Sequence, residues 1–149
     1  MKLIKSFKAL RPMKGKENDV IAPPYDVLNS SEAREMAKKK PFSFLHVSKP
    51  EIDLDQEIEF NDPLVYEKGK ENLEDLINKK VLIQDDKECL YVYEILLNGI
   101  SQTGVGCVAS VEAYEKNIIK KHEYTKPIKE DDRVNNIIKL NAQTGPVLL

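Results

Sequence analysis

The fold class is decided by residues 62–111, which read DPLVYEKGKENLEDLINKKVLIQDDKECLYVYEILLNGISQTGVGCVASV. Asp62 followed by Pro63 is typical of a helix start, because the carboxylate accepts backbone N–H groups and proline suits the first helical position. This segment predicts an amphipathic helix to about Lys80, because apolar side chains recur at helical spacing, at Tyr66, Leu73, Leu76 and Ile77.

The same stretch continues with two β-rich runs, Cys89–Leu97 and Gln102–Val111, on either side of Asn98-Gly99. An Asn-Gly pair between apolar runs is the strongest short signal for a β-hairpin, since both residues tolerate positive φ. The first run is apolar at almost every position, which predicts a central strand covered on both faces. Helix and hairpin together indicate an α+β (mixed α/β) fold.

Shorter elements flank this stretch. Leu3–Leu10 and Val20–Ala22 are strand-like, and Phe42–Val47 is typical of a buried strand. The acidic segment Ser48–Asn61 has no clear periodicity and is expected to be a solvated surface loop.

Two further helices are predicted. Asn29 and Glu32 have the spacing of a capping box, which predicts a helix from Ser30 to about Lys39. A second helix carries Val134, Ile137 and Ile138 on one face and ends near Asn141. We therefore expect a central, mostly antiparallel or mixed sheet of about six short strands with about three helices, in one α+β domain over residues 1–149.

Composition limits the partners. The 23 basic and 25 acidic residues are interspersed and give a net charge of −2, so no broad field attracts nucleic acid or anionic lipid. No apolar run approaches the roughly 18 residues of a membrane span. Cys89 and Cys107 lack metal-ligand spacing and are expected to be buried free thiols, which favours a cytoplasmic protein.

The most function-like segment is KKHEYTKPIKEDDR, residues 120–133. His122 and Glu123 could transfer protons, although neighbours on a strand point to opposite faces. Lys121 and Arg133 could hold a phosphate or carboxylate near a helix N-terminus. A solvated structural segment is the alternative, because the acidic run before Arg133 suits the first turn of a helix.

A second candidate is APPYD, residues 22–26, in which two prolines hold Tyr25 and Asp26 just before a helix. The segment either forms the rim of a pocket or is a simple turn between a strand and a helix. His46 is expected to be a hydrogen-bonded core residue, and the two histidines have no zinc-site spacing. No metal site is predicted.

The chain resembles an uncharacterised prokaryotic family called domain of unknown function 1015. The resemblance runs over essentially the whole chain, in the order FKALRP, APPYDV, PFSFLHVSKPEID, DPLVY, KKHEYTKPIKEDDR and LNAQTGPV. Family members are longer and continue to an Asp-Gly-His-His-Arg type segment, which is similar to the phosphate-binding motif of ParB-like folds and free-serine kinases. The resemblance implies that this chain is the N-terminal part of a longer protein and lacks that element.

The positions that match the family are His122, Glu123, Thr125, Lys129, Glu130, Asp132 and Arg133, followed by Pro24, Tyr25 and Asp26. The resemblance itself carries no assigned activity. Our hypothesis is a nucleotide-dependent, phosphotransferase-like enzyme for a small polar metabolite, with His122, Glu123 and Asp132 as catalytic residues and with Lys121, Arg133, Thr125, Tyr25 and Asp26 binding an anionic substrate. ATP or ADP with Mg²⁺ would be the cofactor in the full-length protein, with Asp131 or Asp132 near the metal. The alternative is a non-catalytic ligand-binding or regulatory module. Compatible partners are a small ligand, a second copy or a C-terminal domain.

Overall fold

The computed structural model describes residues 2–120 and 124–146, so Lys121, His122 and Glu123 lie outside the described residues. Within these two ranges there are six α-helices: α1 (Glu17–Val20), α2 (Ser30–Ala37), α3 (Leu45–Ser48), α4 (Pro63–Asn78), α5 (Val111–Glu115) and α6 (Pro127–Leu140). The same ranges contain six strands: β1 (Ile4–Lys5), β2 (Leu10–Pro12), β3 (Leu82–Gln84), β4 (Tyr91–Leu97), β5 (Ile100–Gly106) and β6 (Val108–Ala109). Two short 3-10 turns cover Tyr25–Val27 and Pro50–Asp53.

The mixed α+β class and the six short strands are confirmed, and the strand pairs β1–β6 and β4–β5 are antiparallel. The details differ from expectation in two respects. The described residues form six helices where about three were predicted, and the strands form small two-stranded sheets instead of one central sheet. No helix in the described part of the chain has the length and apolar character needed to cross a membrane.

The chain divides into two compact units. The first consists of Met1–Arg11, Gln84–Tyr124 and Pro146–Leu149, and the second of Pro12–Ile83 and Thr125–Gly145. Strands β2 and β3 each contain a point at which the chain passes from one unit to the other.

The first unit contains the predicted β-hairpin. Its register runs from Tyr91 opposite Gly106 to Leu97 opposite Ile100, and the turn residues Asn98 and Gly99 have φ values of 51° and 77°. The prediction that β4 is a central strand is wrong, because β5 is its only strand partner among the described residues. An apolar run indicates which side chains favour burial, but not which element covers them.

The two cysteines belong to this unit. They are free thiols, as predicted, but Cys89 is exposed and Cys107 is half-buried, so the expectation of buried thiols is wrong. Cys89 lies beside the hairpin and exchanges backbone hydrogen bonds with Phe7, at 3.1 and 2.9 Å. An edge position of this kind satisfies the backbone without covering the side chain.

The second unit is built on α4. Asp62 accepts a hydrogen bond from the N–H of Leu64 at 2.8 Å, and Pro63 takes the first helical position, as predicted. The helix buries one face, consisting of Val65, Tyr66, Gly69, Leu73 and Leu76. Helices α3 and α6 and the turn Pro50–Asp53 pack against α4.

The capping box of α2 is also present. The side chain of Asn29 accepts a hydrogen bond from the N–H of Glu32, and the Glu32 carboxylate accepts one from the N–H of Asn29, each at 2.9 Å. The helix then places Ala33 and Ala37 in a core with Leu45 and Ile52.

Two predicted elements of this unit are wrong. Val20 ends helix α1 and is not part of a strand. Phe42–Val47 forms a turn followed by α3, in which Leu45 and Val47 are fully buried. Periodicity cannot separate a short apolar strand from a buried helical turn, and here tertiary burial decides for the helix.

Helix α6 is present, and Asn141 ends it in the left-handed conformation with φ of 50°. Its buried face differs from the apolar face in the sequence, because Val134 and Ile138 are exposed while Asp132, Asn136 and Leu140 are buried. This helix therefore turns two polar side chains inward, Asp132 and Asn136.

Gly69 marks the closest approach to α4. A Cβ atom at this position would lie 2.8 Å from Pro50 Cγ and 3.4 Å from Leu140 Cδ1. The glycine therefore lets the Pro50–Asp53 turn and α6 approach the same face of α4.

We expect Gly69→Ala to lower the free energy of unfolding by about 1–3 kcal/mol, because overpacking outweighs the gain in helix propensity. Chemical denaturation measures the difference. Glu74→Ala, at an exposed position of α4, is the control and should change stability by less than about 0.5 kcal/mol. Equal or higher stability of Gly69→Ala would contradict the close approach.

Candidate functional site

A cleft of about 360 Å³ lies in the second unit, between the end of the APPYD segment, the Lys49–Glu51 region, α4 and α6. Its volume falls in the range of small-molecule sites. Its lining within the described residues consists of Tyr25, Asp26, Leu28, Asn29, Ser30, Ser48, Lys49, Pro50, Glu51, Phe60, Val65, Tyr66, Ile128, Lys129, Asp132, Arg133 and Asn136.

Arg133 is held from two directions at the cleft. Its guanidinium carbon lies 4.2 Å from the centre of the Tyr25 ring, a cation–π contact. Its Nε and Nη2 groups donate to Asp132 Oδ2 at 3.0 and 2.6 Å. Nη1 makes no hydrogen bond within the described residues, so one edge of the planar guanidinium remains available to a ligand.

Asp132 accepts hydrogen bonds from two of the residues that line the cleft, Arg133 and Tyr66. Its side chain is only 11% exposed, and its second oxygen, Oδ1, accepts a hydrogen bond from the Tyr66 hydroxyl at 3.0 Å. Burial, together with the hydrogen bond to Asp132, raises the pKa of the Tyr66 phenol, so the hydroxyl stays protonated and continues to donate. Both carboxylate oxygens are thus engaged, and the carboxylate orients Arg133.

The APPYD segment positions the tyrosine ring. Pro24 is extended, with φ of −53° and ψ of 139°, and the 3-10 turn Tyr25–Val27 follows directly. The N–H of Val27 donates to the Pro24 carbonyl at 3.3 Å. Because proline fixes φ, the ring is placed by rigid backbone, and Arg133 stacks against a preset surface.

A second buried carboxylate lines the same cleft. Glu51, in the Pro50–Asp53 turn, is 7% exposed. Its Oε1 atom accepts a hydrogen bond from Ser30 Oγ at 2.8 Å and pairs with Lys49 Nζ at 2.9 Å. The prediction that this acidic segment is simply solvated is wrong for Glu51, because the turn directs the carboxylate against α2.

The lining is balanced in charge. Within the described part of the chain it contains three acidic residues (Asp26, Glu51 and Asp132) and three basic ones (Lys49, Lys129 and Arg133). Lys129 is exposed and has no ion-pair partner among the described residues. A ligand anion therefore meets the free edge of Arg133 and an uncommitted ammonium group.

Four predicted site residues meet at this cleft: Tyr25, Asp26, Asp132 and Arg133. Thr125 does not line it and donates instead to Glu130 Oε2 at 2.8 Å, near the start of α6. Lys121, His122 and Glu123 lie outside the described residues. No group of three His, Cys, Asp or Glu residues within the described ranges could hold a metal ion.

Sequence reasoning missed Tyr66, Glu51 and Ser30. Tyr66 was assigned only to the apolar face of α4, although a buried phenol needs a hydrogen-bond partner and so indicates a nearby acceptor. Glu51 follows Pro50 and precedes Ile52, and this apolar flanking was the available signal for burial. Ser30 was hidden by its position at the first residue of α2.

His46 lines a separate cavity of about 390 Å³. It is hydrogen-bonded, as expected from the sequence, but it is half-buried, so the expectation of a core position is wrong. Nδ1 contacts both carboxylate oxygens of Asp53 at 2.9 Å, and Nε2 contacts the Lys40 carbonyl at 3.2 Å. Since a carbonyl and a carboxylate can only accept, both ring nitrogens must donate, which requires the imidazolium form.

The pKa values agree with this protonation state. The hydrogen bond to Asp53 raises the pKa of His46 against the opposing effect of burial. Burial alone would raise the pKa of Asp53, but hydrogen bonds from His46 and Asn72 outweigh it and lower that pKa. With neither ring nitrogen open to a substrate, this network is structural.

Comparison with known proteins gives one family. A model of the family described as protein of unknown function (DUF1015) matches residues 4–149. No curated protein and no solved structure gives a significant match. The likeness to ParB-like folds therefore stays a prediction.

The His46 network predicts pH-dependent stability. Because the folded-state pKa is raised, the stabilisation is fully present below the unfolded value of about 6.5 and is lost as pH rises through the folded-state pKa. We expect the free energy of unfolding of the wild type to exceed that of His46→Gln by on the order of 1–2 kcal/mol at pH 5.5. At pH 9 the difference should be smaller. Denaturant unfolding at both pH values measures this difference.

His122, the second histidine of the chain, is present in both proteins, so its own titration cancels in the comparison. A difference between wild type and His46→Gln that stays constant from pH 5.5 to 9 would contradict the imidazolium assignment.

Proposed function

We propose that this chain, which belongs to the DUF1015 family of proteins of unknown function, binds a small anionic metabolite in the cleft, with the anion on Arg133 and Lys129. The observation that carries the proposal is the state of Arg133, which stacks on Tyr25, donates to Asp132 and presents an Nη1 edge without a hydrogen bond to any of the described residues. Such a guanidinium binds phosphate or carboxylate with little loss of side-chain entropy, because it is already ordered.

Each remaining group has a defined part in this proposal. Asp132 and Tyr66 position the guanidinium and are not exposed as anion ligands. Lys129 adds a mobile point charge, which suits the outer oxygens of a phosphate. Asp26, at the rim, tends to exclude anions that enter without a compensating positive group.

The reaction class that this binding serves is phosphoryl transfer, with a nucleotide as the second substrate. Such catalysis depends mainly on positioning and on cations around the transferred group, and Arg133 and Lys129 supply two of these. The described residues offer no three-ligand metal cluster, and Asp132 already uses both oxygens. Mg²⁺ is therefore expected to arrive with the nucleotide phosphates, and His122 and Glu123 remain the predicted proton-transfer groups.

A non-catalytic binding module is the second candidate, and the β4–β5 hairpin favours it. Val92 and Leu96 are 81% and 72% exposed, which is unusual for a strand this apolar. The two candidates differ in turnover: the enzyme consumes ATP only when its metabolite is added, whereas a binding module retains ligand without consuming ATP.

We expect phosphate, ADP and ATP with Mg²⁺ to raise the thermal unfolding midpoint of the wild-type protein. Arg133→Gln should weaken the affinity for these ligands at least about tenfold, because it removes charge-assisted hydrogen bonds to the anion. Thermal shift across a ligand concentration series, followed by calorimetric titration, measures both effects.

Lys139→Gln is the matched control, since Lys139 lies on the same helix, pairs with Glu67 and does not line the cleft. Its affinity should equal that of wild type. An equal loss of ligand affinity in Arg133→Gln and Lys139→Gln would contradict the proposal. So would a wild-type thermal unfolding midpoint that none of these anions raises.

A further inference from the structure

The two buried carboxylates of the cleft have parallel environments but differ in one respect. Each pairs with one cation and accepts one hydroxyl, Asp132 from Tyr66 and Glu51 from Ser30. Asp132 distributes these partners over both oxygens, whereas both partners of Glu51 bind Oε1. Oε2 of Glu51 has no hydrogen-bond partner within the described residues.

The position of this oxygen follows from burial. Every fully buried side-chain nitrogen or oxygen in the described residues has a hydrogen-bond partner. Glu51 Oε2 has none among these residues, so it retains some access to solvent, although the side chain as a whole is only 9% exposed. Glu51 lines the cleft, and we infer that this oxygen opens into it.

An ionised oxygen in this setting accepts hydrogen bonds and repels anions. Lys49 and Ser30 hold the carboxylate from one side, which fixes the direction of Oε2. A donor on a ligand would complete the coordination of a charge that has little access to water, and a ligand without one would displace that water and leave the charge unpaired. Discrimination of this kind is large, because the cost falls on the ligand that lacks the donor.

We propose that Glu51 is a specificity-determining residue that accepts a hydrogen bond from a hydroxyl or protonated amino group of the ligand whose anion lies on Arg133. The ligand class is thus a small phosphate or carboxylate with a donor group several bonds from its anionic end. This assignment rests on the proposed function. The balanced charge of the lining fits a ligand that carries both kinds of group.

Three probes test the assignment: propyl phosphate, 3-hydroxypropyl phosphate and 3-aminopropyl phosphate. They share a phosphate group and a three-carbon chain and differ only in the group at the other end. We expect wild type to bind at least one donor-bearing probe about tenfold more tightly than propyl phosphate, which corresponds to one hydrogen bond to a charged group. Which probe gains affinity identifies the donor as a hydroxyl or an ammonium group. Chemical-shift titration or calorimetry gives the dissociation constants.

Two variants locate the effect. Glu51→Gln should abolish the preference and tighten the binding of propyl phosphate, because the amide keeps an acceptor for Ser30 but removes the negative charge that repels this anion and that it leaves unpaired. Glu57→Gln, on the exposed part of the same segment, should retain the preference.

The outcomes separate the two proposals. Absence of binding of all three probes by wild type would overturn the anion site and this inference with it. Equal binding of all three probes by wild type would overturn the role of Glu51 alone, and this comparison requires no variant to fold. A preference that survives in Glu51→Gln would overturn it as well.

Discussion

The buried carboxylate of Asp132 is the constraint on which the second unit depends. An ionised group so little exposed destabilises the fold unless charge and hydrogen bonds compensate it, and removing one partner of such a pair typically costs about 3–5 kcal/mol. The compensation comes from Tyr66 on α4 and Arg133 on α6. Asp132 therefore links α6 to α4 through Tyr66, and it also orients the Arg133 guanidinium that stacks on Tyr25.

The same arrangement explains why the cleft contains buried polar groups. Helix α6 buries Asp132 and Asn136, at positions where a stable bundle would normally place apolar side chains. Gly69 lets the Pro50–Asp53 turn and α6 approach α4, so that Glu51 lines the same cleft as Arg133. A core that contains polar groups where apolar ones would be more stable is typical of a site preserved for binding.

Local signals were sufficient for part of this structure. The Asp62-Pro63 start of α4, the Asn29–Glu32 capping box and the Asn98-Gly99 turn each encode their geometry within a few residues. The environment of Glu51 could not be predicted in this way, because its partner Ser30 is 21 residues away. The polarity of the buried α6 face was likewise hidden, since Val134 and Ile138 suggested a different face.

The most direct test is to observe the Arg133 guanidinium itself while an anion binds. The chain has three arginines, so the Nε–H resonances of Arg11, Arg34 and Arg133 can be assigned by single substitutions to lysine. In a titration with inorganic phosphate, we expect a saturable shift of the Arg133 resonance with little change at Arg11 or Arg34. A stationary Arg133 signal, or parallel unsaturated shifts at all three arginines, would contradict it.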